Sequence, residues 1–406
     1  MPEQRNKQLL RFAAVLLVIA TCSFHAHAAN YDFTRVAIDT DFGPGSLNQT
    51  TSATRGFDFN NAGTMVFGVS AAGQTRLYTG SGGPLSLVAA DNPTGPTPNY
   101  LSSAGASIND SGVVAYWKQT PGPGTEFVTR GIYTSGGATI YAAAINALNP
   151  VAPERWTDIN NYGEVAFWID AYYFTDDATI LKGSGGATTT IASMSNNGFN
   201  RIDPHTFSIN EFGAVAFLAS NPGTLNGVFA GNGGALTTIY APPPIGQPSG
   251  HAYSAPSINN AGNVAFDVLG GRVFVGDGSP PVPPWAANVG PLEDYPTIND
   301  AGAVAYLHNG DGGEIAIGLG ASSSRVVGAG DALDGSTVQY LSYSNINNQG
   351  QVAFAAFLAD GRTGLYIASP VPEPASILLA VLASPTLLWF GYRRRPKPGQ
   401  SHKSAP

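Results

Sequence analysis

The chain has 406 residues, 11% of them charged, with 50 Gly, 30 Pro, one Cys and a formal net charge of −8. That length exceeds a usual single core, but a repeat architecture divides its core between units and reaches this size as one domain. Setting aside residues 1–29 and 371–406 leaves 11 Lys plus Arg against 25 Asp plus Glu, about −14, which argues against non-specific nucleic-acid binding.

Residues 1–28 read as a secretory signal: Arg5, Lys7 and Arg11 form a basic start, Phe12 to Ile19 an apolar run, and Ala26-His27-Ala28 a small-x-small cleavage site. The mature chain then begins near Ala29. Cys22 lies inside the signal, so cleavage leaves no thiol, no disulfide and no cysteine-based metal site. The next segment, Phe33 to Asp39, resembles the end of a repeat such as Ser324 to Gly328 rather than the start of one.

From Phe57 the chain writes one pattern seven times: an apolar residue, Asn, two variable residues of which the first is mostly Asp or Asn, Gly, and a run close to Val-Ala-Phe. The Asn/Gly pairs are Asn60/Gly63, Asn109/Gly112, Asn160/Gly163, Asn210/Gly213, Asn259/Gly262, Asn299/Gly302 and Asn347/Gly350. The asparagines stand 49, 51, 50, 49, 40 and 48 residues apart, a spacing that marks a solenoid, a propeller or an array. Asn and Asp accept backbone hydrogen bonds in turns and Gly takes positive φ, so each copy is the tip of a hairpin, and turn chemistry accounts for the asparagines without a ligand.

About 20 residues further on comes a second, Gly-rich hairpin, as in Gly131 to Tyr141 around Ser135-Gly136-Gly137. Two hairpins per period make four short antiparallel strands, the content of one propeller blade. The expectation is an all-β, seven-bladed β-propeller over residues 29–370, with a β-solenoid as the alternative. The seventh repeat stops after its third strand, Gly364 to Ala368, so the spare N-terminal strand should complete it and close the ring. These tandem units resemble the NxxGxxAF repeats of bacterial exported proteins from about Phe57 to Ile367, with Val66, Tyr116 and Tyr306 as apolar departures. The resemblance implies an architecture and no chemistry.

Repeat five carries Pro280-Pro281-Val282-Pro283-Pro284-Trp285 where its fourth strand belongs, which fits an outermost strand with Trp285 capping that edge. Catalytic patterns are missing. His205, His251 and His308 fall in different repeats without metal-ligand spacing, and no Gly-x-Ser-x-Gly occurs. Asp39 to Gly43 and Asn309 to Glu314 look a little like calcium loops but lack the ligand count, so they read as acidic turns and no cofactor is expected. Glycosidase-type carboxylate pairs are spatial, so the sequence leaves them open.

Phe57, Trp156, Phe207, Tyr295 and Tyr343 recur three or four positions ahead of the repeat Asn and read as core packing between blades. Both kinds of short turn belong on one face of the ring, and the variable connections on the other. Tyr100, Tyr172, Tyr173 and Tyr253 lie in those connections and are the candidate ligand contacts, because variable loops on a rigid scaffold are the usual place for recognition.

The chain ends with Val371-Pro372-Glu373-Pro374, a mostly apolar run from Ala375 to Tyr392, the basic cluster Arg393-Arg394-Arg395, and a basic tail, 396–406. The run is just long enough to span a bilayer, with the arginines on the cytoplasmic side. This end resembles the PEP-CTERM sorting signal: Pro372, Glu373 and Pro374 match its motif, 375–392 its helix and Arg393, Arg394 and Arg395 its basic cluster. The resemblance implies a diderm bacterium, a membrane exosortase that recognises and cleaves the tail, and association with exopolysaccharide and the cell surface or biofilm matrix. The expected function is therefore an exported, non-catalytic binding or structural module, with an extracellular polysaccharide hydrolase or lyase as the alternative.

Overall fold

The computed structural model describes residues 31–47, 56–94, 99–122, 128–145, 151–171, 175–241, 252, 254–268, 272–279, 295–308, 313–319 and 322–371. The segments read as a secretory signal and a sorting tail, and Trp285 with its proline run, lie outside the described residues.

An N-terminal strand, β1 (Tyr31–Ile38), precedes the first blade. Blade one is β2 (Phe57–Phe59), β3 (Met65–Ala71), β4 (Gln74–Gly80) and β5 (Ser86–Ala90). Blade two has a split inner strand, β6 (Tyr100–Leu101) and β7 (Ser107–Ile108), then β8 (Val114–Pro121), β9 (Val128–Thr134) and β10 (Thr139–Ile145). Blade three is β11 (Val151–Ile159), β12 (Val165–Ala171), β13 (Thr175–Gly183) and β14 (Thr189–Ser193). Blade four is β15 (Arg201–Ile209), β16 (Val215–Ser220), β17 (Gly227–Gly231) and β18 (Thr237–Tyr240). Blade five shows β19 (Ser257–Ile258), β20 (Val264–Val268) and β21 (Arg272–Gly276) among the described residues. Blade six is β22 (Thr297–Ile298), β23 (Val304–His308), β24 (Glu314–Leu319) and β25 (Ser322–Gly328). A short β26 (Ala332–Leu333) leads into blade seven: β27 (Ser336–Ile346), β28 (Val352–Leu358) and β29 (Thr363–Pro370).

The fourth strand of blade seven is β1, which pairs antiparallel with β29 from Tyr31↔Pro370 to Ile38↔Gly364. Closure by the N-terminal strand, read from the surplus at one end and the deficit at the other, is thus what the fold does. Arg35 on β1 meets Asp334 at 3.0 Å, and Arg362 meets the same carboxylate at 3.1 Å, which ties β1 to the turn between β26 and β27.

Each copy of the Val-Ala-Phe run packs on both faces of its blade, and every member is buried except Tyr116, which is half-buried. In blade three, Val165 and Phe167 pack in the cluster shared with blade two, while Ala166 between them packs with blade four. Blade four repeats this with Val215 and Phe217 toward blade three and Ala216 toward blade five. Strand alternation sends large and small side chains to opposite faces, so a large face meets a small one at each seam. Blade one is the exception: Val66 holds the small position and packs against Ile108 and Val114. Phe57, Phe207 and Tyr343 are buried as interblade core, with the Phe57 and Tyr343 rings 5.0 Å apart across the closing seam.

Candidate functional site

All seven Asn-x-x-Gly turns share one geometry. Gly63, Gly112, Gly163, Gly213, Gly262, Gly302 and Gly350 sit at φ between +74° and +81°, the left-handed region that favours glycine. The N–H of each donates to the carbonyl of its Asn at 2.9–3.1 Å, which closes the hairpin loop. The Asn side-chain oxygen accepts from the N–H four residues on at 2.8–3.0 Å.

The other half of the amide does something the turn does not require. Asn60 Nδ2 donates to the Asn109 carbonyl, Asn109 to Asn160, Asn160 to Asn210, Asn210 to Asn259, Asn259 to Asn299, Asn299 to Asn347, and Asn347 back to Asn60, all at 2.8–3.3 Å. The seven asparagines close a ring around the propeller axis. Each residue is at most 6% exposed, so these bonds replace water at groups that are costly to leave unpaired.

The next residue along the chain makes a second closed ring. The side chains of Asp110, Asn161, Glu211, Asn260, Asp300, Asn348 and Asn61 each accept the N–H of the matching residue in the preceding blade at 2.7–2.9 Å. Amide and carboxylate alternate until Asn348 meets Asn61. Asp110 also takes the side-chain amides of Asn61 and Asn161, Glu211 that of Asn161, and Asp300 those of Asn260 and Asn348. Deeper in, Asp58 accepts the N–H of Ile108 and the Asn345 amide, and Asp158 accepts the N–H of Ile209. Edge groups of the inner strands, which no further strand can pair, are satisfied this way.

These rings surround a cavity of about 190 Å³, the turn-side end of the central channel, lined by the inner strands of all seven blades. The two halves of the repeat motif part company here. Asn60, Asn109, Asn210, Asn259, Asn299 and Asn347 line the cavity, whereas Gly63, Gly112, Gly163, Gly213, Gly262, Gly302 and Gly350 are not among its lining residues. Each glycine lies past the turn tip, where the chain already heads back into the blade, so it shapes the backbone and has no side chain to offer a ligand. The recurrent Asn-x-x-Gly is therefore a site only through its asparagine and the residue after it; the glycines are scaffold.

Burial raises the Glu211 carboxyl above its usual range; the Asn161 N–H works against this, and the charges of Asp110 and Asp300 add to the rise. The mouth is thus rich in acceptors and negative, with an amide donor at each step. Among the described residues no group of three or more His, Cys, Asp or Glu is placed to hold a metal ion.

The suspected calcium loop at Asp39 is a turn, with the Asp39 carbonyl taking the N–H groups of Phe42 and Gly43, while 309–312 of the other loop lie outside the described residues. His205 is on β15 and His308 on β23, in separate blades, and His251 lies outside the described residues. Of the four candidate tyrosines, Tyr100 is exposed and pairs with Gln119, at the end of β8 away from the Asn109 turn, so it belongs to the variable face. Tyr172, Tyr173 and Tyr253 lie outside the described residues, as do Pro372, Glu373, Pro374, Arg393, Arg394 and Arg395.

Two exposed aromatics on the turn face escaped the sequence reading. Tyr162 and Phe212 occupy the second variable position of the turns in blades three and four and are 77% and 70% exposed. The other blades place Ala62, Ser111, Ala261, Ala301 and Gln349 there. Lys182 ties the two turns together: its ammonium meets Glu164 at 3.1 Å and Asn232 at 2.6 Å, and Asn232 donates to the Phe212 carbonyl at 2.9 Å.

Fold and rings together define a seven-bladed β-propeller closed by its N-terminal strand. A family model described as "Family of unknown function (DUF7453)" matches residues 307–378, from blade six through blade seven. No curated protein matches the chain. Among solved structures, a prolyl endopeptidase aligns with a TM-score of 0.51 at 12% identity, over 82% of this chain and 49% of that one. A puromycin-hydrolyzing peptidase of Mycobacterium tuberculosis aligns with a TM-score of 0.50 at 12% identity, over 80% of this chain and 54% of that one. The chain therefore spans about half the length of these proteins, and at this identity the likeness concerns the fold alone.

Proposed function

We propose that the chain is an exported surface or extracellular-matrix protein of a diderm bacterium, sorted through its tail by an exosortase, whose propeller is a non-catalytic binding or structural module associated with exopolysaccharide or biofilm. The observation that carries the non-catalytic part is the state of the channel carboxylates. Asp58, Asp110, Asp158, Glu211 and Asp300 each accept an N–H from a neighbouring blade, so their geometry serves the ring. A general acid or nucleophile needs a carboxyl free to reach a substrate oxygen or carbon. Recognition falls to the variable connections, whose candidate stacking residues for sugars are the exposed Tyr100 and, from the sequence, Tyr172, Tyr173 and Tyr253. Weak single sites gain strength from display of many copies.

The alternative, a polysaccharide hydrolase or lyase, draws on one feature: five carboxylates do converge on the channel, and burial and repulsion raise Glu211, as a proton donor would need. A glycan array probed with the purified chain, followed by an assay for new chain ends on each bound glycan, separates the two. Binding without chain cleavage, lost when the four tyrosines are replaced by Ala, is the expected result. Cleavage that disappears in Asp110→Asn or Glu211→Gln would replace this reading with the enzymatic one.

A further inference from the structure

We propose that in the anchored chain the face of the Asn-x-x-Gly turns lies flat on the phospholipid surface, tethered at blade seven and seated on the opposite side of the ring by Tyr162 and Phe212. This rests on the reading that the apolar run 375–392 enters a membrane.

The direction of β29 sets the geometry. Its register with β28 runs from Phe357↔Thr363 to Val352↔Ala368, and Val352 follows the Asn347 turn, so β29 ends on the turn face. Pro370 lies near that turn, and Gln351 donates to the Ser369 hydroxyl at 2.9 Å. Exposed Val371 continues from there. Only Val371-Pro372-Glu373-Pro374 separate Pro370 from the apolar run. Five residue steps reach at most about 17 Å. The headgroup layer takes up about 5–8 Å of that reach. Blade seven is therefore held within about 10 Å of the headgroups with its turn side toward them.

A tether at one point of a disc allows tilt, and the exposed aromatics fall where a second contact prevents it. In a ring of seven, the blades opposite the seventh are the third and fourth, and these alone carry large apolar side chains at the turn tip. Their turns are locked to one another through Glu164, Lys182 and Asn232, so the two rings are presented from a rigid base. Aromatic side chains settle at the headgroup level of a bilayer, where an apolar body and a polar surrounding are both met. Asp110, Glu211 and Asp300 make the face negative, which suits zwitterionic headgroups carrying an ammonium better than anionic ones. The channel mouth is then covered while the tail is intact, leaving the variable face to soluble partners, and tail cleavage uncovers it.

Blade two provides a matched pair of reporters, Ser111 at a turn tip and Tyr100 at the opposite end of β8. The only native thiol is Cys22, so Ser111→Cys and Tyr100→Cys in a Cys22→Ser chain each carry one label. The full-length protein, labelled with a polarity-sensitive fluorophore, is reconstituted into phosphatidylethanolamine and phosphatidylcholine vesicles holding a headgroup-level quencher. The label at 111 should be quenched several-fold more than that at 100, and the difference should vanish in Tyr162→Ala/Phe212→Ala. Equal quenching at the two positions in protein that floats with the vesicles would overturn the inference. So would protection of position 111 in native membranes but not in lipid alone, which would assign the face to a protein. Failure to float would remove the anchor reading itself, and this inference with it.

Discussion

Asn347 donates its side-chain amide to the backbone carbonyl of Asn60, 287 residues earlier, at 3.3 Å. The other six bonds of that ring join blades that follow one another in sequence; this one joins the last to the first. The closing seam thus carries the same bond as every other seam, in addition to the β1–β29 ladder on the outside of blade seven.

Asn347→Asp tests that bond while leaving the turn nearly intact. Aspartate keeps an oxygen for the N–H groups of Gln349 and Gln351, but it faces the Asn60 carbonyl and Gln351 Oε1 with an acceptor in place of a donor. A loss of roughly 1–3 kcal/mol is expected, because buried acceptors are left unpaired. Equilibrium unfolding in denaturant measures it, and a midpoint equal to that of the wild type would mean that the turn, and not the ring, is what the asparagine serves.

Removing the N-terminal strand tests closure from the outside. Deletion of residues 31–38 strips the ladder from β29 and uncovers Leu365 and Ile367, which are 0% and 3% exposed. An unpaired, apolar strand edge promotes association. The deletion should lower the melting temperature by several degrees and shift the protein to aggregates on size exclusion. A monomer of unchanged melting temperature would show that three strands suffice for blade seven.

The recurrence of Asn, Gly and Val-Ala-Phe is enough to place every blade, because hairpin tips and doubly buried strands leave local patterns. The rings leave none. Asn60 explains its own turn through Oδ1, and nothing within one period shows where Nδ2 points. The partner is the next copy's carbonyl, and that contact exists only once the sheets are arranged about an axis. The alternation of Asn61, Asp110, Asn161, Glu211, Asn260, Asp300 and Asn348 is visible as letters, but it becomes a charged channel mouth only when the turns converge. Tyr162 and Phe212 occupy a position whose residue varies among copies, so no recurrence pointed to them.

The raised Glu211 carboxyl makes a pH-dependent contribution. A carboxyl that holds its proton more tightly when folded favours the folded state below its unfolded value near pH ~4.3. That contribution is lost as pH rises through the raised folded value, where burial and the charges of Asp110 and Asp300 oppose ionisation. Glu211→Gln carries no charge at any pH. The melting temperature of the variant minus that of the wild type should therefore grow as pH increases from about 4 through the raised value. A difference independent of pH would remove Glu211 from the titration of the ring.

Glu373 is the residue on which tail processing should depend, by resemblance of Pro372-Glu373-Pro374 to the sorting motif. In the wild type, sorting should release the propeller with a new C-terminus close to this motif, and intact-mass measurement of surface-delivered protein reads that end directly. Glu373→Ala should leave residues up to Pro406 attached and hold the protein in the membrane fraction. Removing Arg393, Arg394 and Arg395 should also give uncleaved or misplaced protein, because a basic cluster beside an apolar run sets the orientation of such a run in a bilayer. The described fold ends at Val371, before the substituted positions, so neither change should alter the melting temperature of the propeller. Wild-type protein at the surface that still carries Pro406 would show that the tail is a retained anchor, whereas cleavage of Glu373→Ala at the wild-type rate would move recognition elsewhere in the segment.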